Sequence, residues 1–149
     1  MELKRLKKSE VAELISRIIA PAKTDSGNWL EVDTAPAKTK VYFSQTKPSA
    51  ASKGHWTYEF FHTLGFDTVE EVCRESGCMI LLNYVDRTYA ILDGADLLWL
   101  AMVSSRQKSN DGPVIDIVIN RSEDGGYRLT SYDRVRKDSR PVEVKSWIQ

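Results

Sequence analysis

The sequence predicts an α+β fold: a curved, mostly antiparallel sheet or a partly open β-barrel of about eight strands with three helices. Three observations predict it. The elements fall in the order αβββαββαβββ, without the βαβ alternation of a doubly wound sheet. The run His55 to Thr63 places aromatic residues at the two-residue period of a strand. Turn signals at Val85-Asp86 and at Glu123-Asp124-Gly125-Gly126 join short apolar runs into hairpins.

The elements follow in order. Val11, Leu14, Ile15, Ile18 and Ile19 form one helix stripe, with Ser9 as the expected cap and Pro21 ending the run. Lys23 to Asn28 is expected as a loop with a Ser26-Gly27 turn. Trp29 to Val32 and Thr39 to Ser44 predict short strands, and Thr34-Ala35-Pro36-Ala37 separates them because proline cannot donate to a ladder. In the third strand, His55 to Thr63, alternation puts Trp56, Tyr58, Phe60 and His62 on one face, and His55, Thr57, Glu59 and Phe61 on the other. Asp67-Thr68-Val69-Glu70 reads as a capping box for a short helix that Gly77 stops after Ser76.

Cys78 to Tyr84 and Arg87 to Leu92 are dense in apolar residues and predict a central strand pair. Asp93 or Gly94 opens a third helix through Val103, with Leu97, Leu98, Leu100 and Ala101 available to the core. Ser104 to Gly112 is polar throughout and is expected as a surface loop. Strands are then expected at Val114 to Asn120, Tyr127 to Ser131 and Val142 to Ile148. A chain of 149 residues suits one domain, residues 1–149, in which an N-terminal amphipathic helix (1–22) packs on a barrel-like sheet (28–148).

Composition narrows the function classes. With 42% hydrophobic and 28% charged residues the chain is an ordinary globular sequence and not a disordered one. Met1-Glu2-Leu3-Lys4-Arg5-Leu6-Lys7-Lys8 is basic but leads into an amphipathic segment and not a secretory h-region, and no apolar run approaches the length of a membrane span. A cytoplasmic location without membrane association is therefore expected. Cys73 and Cys78, the only cysteines, are too few for a disulfide framework.

The 21 basic and 21 acidic side chains cancel, so there is no whole-molecule field of the kind many nucleic-acid binders carry. Their distribution is uneven. Residues 34–58 contain Lys38, Lys40, Lys47 and Lys53 and no acid, residues 59–75 are acidic, and residues 128–145 are again basic.

Residue type and spacing raise several candidate sites of chemistry. Glu143-Val144-Lys145 is a Glu-x-Lys pair on an expected strand; with Asp116 or Asp133 from a neighbouring strand it would hold a divalent ion in a metal-dependent nuclease. The apolar Val142 and Val144 explain it more plainly as an amphipathic edge strand. His55, His62, Cys73 and Cys78 have the chemistry of zinc ligands, but their spacing matches no compact zinc motif. A Ser-His nucleophile would need Ser44 or Ser52 beside His55, without a G-x-S-x-G elbow. No Walker sequence and no G-x-G-x-x-G is present, so no cofactor is implied.

The acid-poor region carries the most information. Lys38, Lys40, Lys47 and Lys53 attract phosphate; Ser44, Ser49 and Ser52 can donate to phosphate oxygens; His55, Trp56 and Tyr58 offer faces on which a base can stack. Arg106 and Lys108 mark a second basic loop, and Arg134, Arg136, Lys137 and Arg140 a third. Three such loops on one sheet would line a groove for a polyanion. The plainer reading is that the aromatics fill a core and the lysines keep a loop solvated.

A "VYFS" strand, the aromatic strand "HWTYEFFHTLG", a short helix, the strand pair "CMILLNYVDRTYAIL", the helix "DGADLLWLAM" and the strand "GPVIDIVI" follow one another from Thr39 to Trp147. In that order they resemble the barrel-like DNA-reading domains of bacterial restriction and modification-dependent endonucleases. The resemblance implies binding of duplex DNA through loops at one rim, with cleavage left to a separate domain. No catalytic domain follows in the sequence, so it implies an isolated reader or a domain of a larger protein. The expected function is thus a non-enzymatic nucleic-acid-binding module of restriction or defence type, DNA more than RNA. The alternatives are a protein-interaction or regulatory protein, with a partner such as a nuclease subunit, and a nuclease using Glu143 and Lys145.

Overall fold

The structure, a computed structural model, describes residues 4–34, 37–46, 49–50, 57–75, 77–108, 112–122, 124–131 and 138–148. Its elements run α1 (Lys8–Ile18), β1 (Ala22–Thr24), β2 (Trp29–Thr34), β3 (Ala37–Thr46), β4 (Ser49–Ala50), β5 (Thr57–Gly65), α2 (Phe66–Glu75), β6 (Cys78–Asn83), β7 (Thr88–Asp93) and α3 (Gly94–Val103). After them come β8 (Ser105–Lys108), β9 (Gly112–Arg121), β10 (Tyr127–Thr130), β11 (Ser139–Val142) and β12 (Lys145–Ser146). The fold is α+β. Its strands form two six-stranded sheets and not one closed barrel.

The first sheet has the order β1-β2-β3-β6-β7-β12 and is antiparallel except where β3 meets β6. The second has the order β11-β10-β9-β5-β4, with β8 also on β9, and every pairing in it is antiparallel. The parallel joint needs a long crossover, which β4, β5 and α2 supply. No helix among the described residues is long and apolar enough to cross a membrane.

The hydrophobic pattern explains the layers. Val11, Leu14 and Ile15 of α1 pack with Leu30, Val41, Phe43, Ile80, Leu82 and Trp147 on one face of the first sheet. On its other face Met79, Leu81 and Leu92 meet Phe60, Ile115, Ile117 and Ile119 of the second sheet, with Val72 of α2 and Leu97 and Leu100 of α3. Strand β6 is covered on both faces, which is why Cys78 to Leu82 reads as an unbroken apolar run and not as an alternation. Those of these side chains that are fully buried, such as Ile15, Leu30, Met79, Leu81 and Ile117, each contribute about 1.5–3 kcal/mol of transfer free energy.

Several expectations are corrected. The carboxylate of Glu10 accepts the Lys7 N–H at 2.8 Å, so α1 starts at Lys8 and Ser9 lies in its first turn, not at its cap. Helix α2 begins at Phe66, which moves Asp67 into the first turn, where a carboxylate still favours the helix dipole. Gly77 does end it, with φ +72° and its N–H on the Val72 carbonyl at 2.8 Å. The expected loop Ser104 to Gly112 contains β8, an edge strand whose polar side chains suit its position beside β9. In place of the expected strand Val142 to Ile148 there are two short strands: β11, which ends at Val142, pairs with β10 in the second sheet, and β12 (Lys145–Ser146) with β7 in the first. With the short β1 and β4 these changes turn about eight expected strands into twelve among the described residues.

Candidate nucleic-acid interface

The predicted residues fall into separate groups. Lys38 and Lys40 are exposed on β3, but each faces a carboxylate from the β1–β2 side of the sheet: Lys38 Nζ lies 3.5 Å from Glu31, and Lys40 Nζ 3.6 Å from Asp25. Lys23 completes the set at 3.6 Å from Glu31. Register puts Glu31 within reach of two of these lysines, directly opposite Lys23 of β1 and diagonal to Lys38 of β3, whose own opposite residue is Asp33. A window without acids in the sequence is a mixed-charge surface in the fold.

Lys47, Ser52, Lys53 and His55 lie outside the described residues, as does Trp56. Ser49 in β4 is opposite Tyr58 in β5, and Tyr58 in turn is opposite Asn120 of β9. A register shift between Tyr58 and Phe60 interrupts the expected alternation of this strand. Beyond it, Phe60 is buried in the core, while His62 is half-buried.

Arg106 belongs to the structure of the second sheet. Its Nε and Nη2 donate to the buried carboxylate of Asp116 at 2.6 and 3.2 Å, and Thr63 Oγ1 donates to the same group at 2.7 Å. Lys108 ends β8 opposite Gly112. Arg134, Arg136 and Lys137 lie outside the described residues, in the connection between β10 and β11. Arg140 at its far end is taken up by Asp96 at 3.5 Å and by the Trp99 ring at 5.7 Å.

The ladder also fixes where the three connections leave the sheet. Residues 47–56 lead into Thr57 and Tyr58, level with Asn120 near one end of β9, whereas the β8–β9 hairpin closes at Gly112 at its other end. Ten residues of strand span about 33 Å. The β10–β11 connection leaves from Thr130, level with Val118. The first basic connection and the second are thus anchored at opposite ends of the same strand.

The same register bears on the nuclease residues. Val142, next to Glu143, is opposite Tyr127 and through it level with Arg121, so Asp116 is about 17 Å farther along β9. Glu143 and Lys145 pair with each other at 3.7 Å on the surface. Asp133 lies outside the described residues. Among the described residues no three His, Cys, Asp or Glu side chains are grouped to hold a metal ion. Cys73 is exposed on α2, and Cys78 packs against the α1 side of the first sheet.

Sequence reasoning passed over the basic segment Lys4 to Lys8, treating it only as an unlikely leader. The structure fixes it on β3. Gln45 accepts from the Leu6 N–H and donates to the Leu6 carbonyl, both at 2.8 Å, as a neighbouring strand would. Lys4, Arg5 and Lys7 are exposed, and none of the ion pairs among the described residues involves them or Lys8. Gln45 is followed by Thr46, from which the 47–56 connection departs.

Alternation points the flanking residues the other way, toward the second sheet. The Thr46 hydroxyl donates to the Phe61 carbonyl at 3.2 Å and accepts the Phe61 N–H at 3.4 Å. Buried Ser44 bonds His62 Nδ1 at 3.0 Å, whereas the sequence offered it His55, which lies outside the described residues. Burial, and then the positive charge of Arg5, hold the His62 pKa below its ordinary value. The signal in the sequence was Ser44-Gln45-Thr46, three polar residues ending an apolar strand. Comparison with known proteins finds no matching family model, no matching curated protein and no matching solved structure.

Proposed function

We propose that the chain is a nucleic-acid-binding module that does not itself cut its ligand, and that it grips a phosphate backbone with Lys4, Arg5, Lys7 and Lys8 beside the 47–56 connection. The observation that carries this reading is the Gln45 clamp on Leu6, which holds four cations lacking carboxylate partners among the described residues next to the departure point of Lys47 and Lys53. Cations already neutralised by acids release few counterions from DNA; unanswered ones release more. The sequence resemblance makes duplex DNA of restriction or defence systems the first polyanion to test.

With about four phosphates engaged, affinity for a short duplex falls roughly 10²-fold as salt rises from about 50 to 200 mM. A flat salt response in fluorescence anisotropy, or no binding to any duplex, overturns the reading. The duplex is recovered intact after incubation with magnesium or manganese; cleavage that disappears in Glu143→Ala would restore the nuclease alternative.

A second reading has its own observation. Leu98 and Met102, one turn apart on α3, are 61% and 83% exposed, large apolar side chains on a helix that buries Leu97 and Leu100 in the core. They favour a protein partner, such as a nuclease subunit, docking on α3. Leu98→Lys with Met102→Lys abolishes such a complex in pull-down and leaves DNA affinity unchanged.

A further inference from the structure

Ser44 and His62 meet where the end of β3 comes against β5 of the other sheet. The pair does not suit acyl transfer, because Ser44 is only 1% exposed and no carboxylate hydrogen-bonds the ring among the described residues. Its geometry serves another purpose. Ser44 engages Nδ1 and fixes the ring, leaving Nε2 as the nitrogen available to a ligand at a half-buried position. The segment carrying Arg5 is held over the same strand end by Gln45.

We infer that His62 is a proton-linked phosphate contact: a nucleic-acid phosphate seated beside Arg5 draws a proton onto His62, and affinity rises as pH falls. The inference rests on the nucleic-acid reading above and names one contact within it. The surroundings support it. Strand β3 presents the uncharged hydroxyls of Ser44 and Thr46, β9 presents Ile117 opposite His62, and Arg5 is the charged group that acts on the ring among the described residues. In the free protein, burial and then Arg5 both oppose the imidazolium and favour the neutral ring. A phosphate reverses the second effect: it offsets the Arg5 charge and accepts from Nε2–H, while Nδ1–H turns to the Ser44 oxygen.

The sign follows from linkage. The ligand raises the ring's pKa, so binding takes up a proton between the free and bound values, and affinity climbs by up to tenfold per pH unit as pH falls through that window. The test uses His55→Gln as the parent, which removes the other histidine, and measures affinity for a labelled duplex between about pH 5.5 and 8 at constant ionic strength. The parent's affinity is expected to rise with acidity and that of the added His62→Gln variant to stay level. Equal slopes in the two overturn the inference while leaving the nucleic-acid reading standing; no binding at any pH overturns both. Should His62→Gln fail to fold, the imidazole resonance of the parent, titrated by NMR with and without duplex, decides: an upward shift is expected, and an unchanged pKa overturns it.

Discussion

Strand β3 carries cations at both of its ends, and the two ends are not alike. At the start, Lys38 and Lys40 face Glu31 and Asp25; at the finish, Gln45 holds Lys4 to Lys8 with no carboxylate paired to them among the described residues. The difference comes from the partners. A hairpin brings β2 with its acids to the first end, while beyond Tyr42 the strand has left β2 behind and borders β6 and the N-terminal segment. Basic residues are useful to a polyanion according to what the fold sets opposite them, not according to their density along the chain.

The largest effect tests the other extreme, a cation wholly committed to the protein. Arg106→Ala leaves Asp116 buried with Thr63 as its remaining side-chain partner, and is expected to cost about 3 kcal/mol in urea unfolding, with DNA affinity of the folded fraction unchanged. Next comes Lys4→Glu with Lys7→Glu, which lowers duplex affinity about 10²-fold at low salt and leaves the melting temperature within a degree or two. Gln45→Ala frees the segment without removing its charge. The loss of two hydrogen bonds gives about 1 kcal/mol, read as a severalfold weaker complex with an unchanged salt slope.

The fourth concerns acid. The folded-state pKa of His62 lies below the unfolded value of about 6.5, so the unfolded chain binds more protons, and stability present above pH 6.5 is lost as pH falls toward the folded value. His62→Gln should flatten that part of a melting-temperature profile. The smallest effect is at the neutralised end: Lys38→Gln or Lys40→Gln changes stability by under about 0.5 kcal/mol and affinity by less than twofold, because exposed pairs contribute little. A loss there as large as at Lys4 and Lys7 would erase the distinction between the two ends.

Most of the fold was legible wherever the decisive interactions are local. α3 opens at Gly94, one of the two starts expected, with the Asp93 carboxylate accepting the Asp96 N–H at 2.9 Å, and Asn83 builds the β6–β7 turn by accepting from Val85 and Asp86. The failures are non-local. β8 exists because of a carboxylate ten residues away on β9, and the strand expected over Val142 to Ile148 divides because two different sheets offer it edges. The alternation of the aromatic strand was legible only up to the register shift at Tyr58 and Phe60. The candidate site was the least legible part, since its residues come from the N-terminal segment, β3 and β5 and none of them announces the others.

The path of the chain between the sheets bears on how the molecule forms. The first sheet draws on residues 22–46, 78–93 and 145–146, and the second on residues 49–65 and 105–142. Neither sheet can be completed before the chain has visited the other, and the β7–β12 pairing joins residues more than fifty positions apart. Such sequence separation raises contact order, which places folding on the millisecond-to-second scale typical of non-local β topologies. Refolding after dilution from urea should therefore be slow, and the two sheets should regain their protection from hydrogen exchange together.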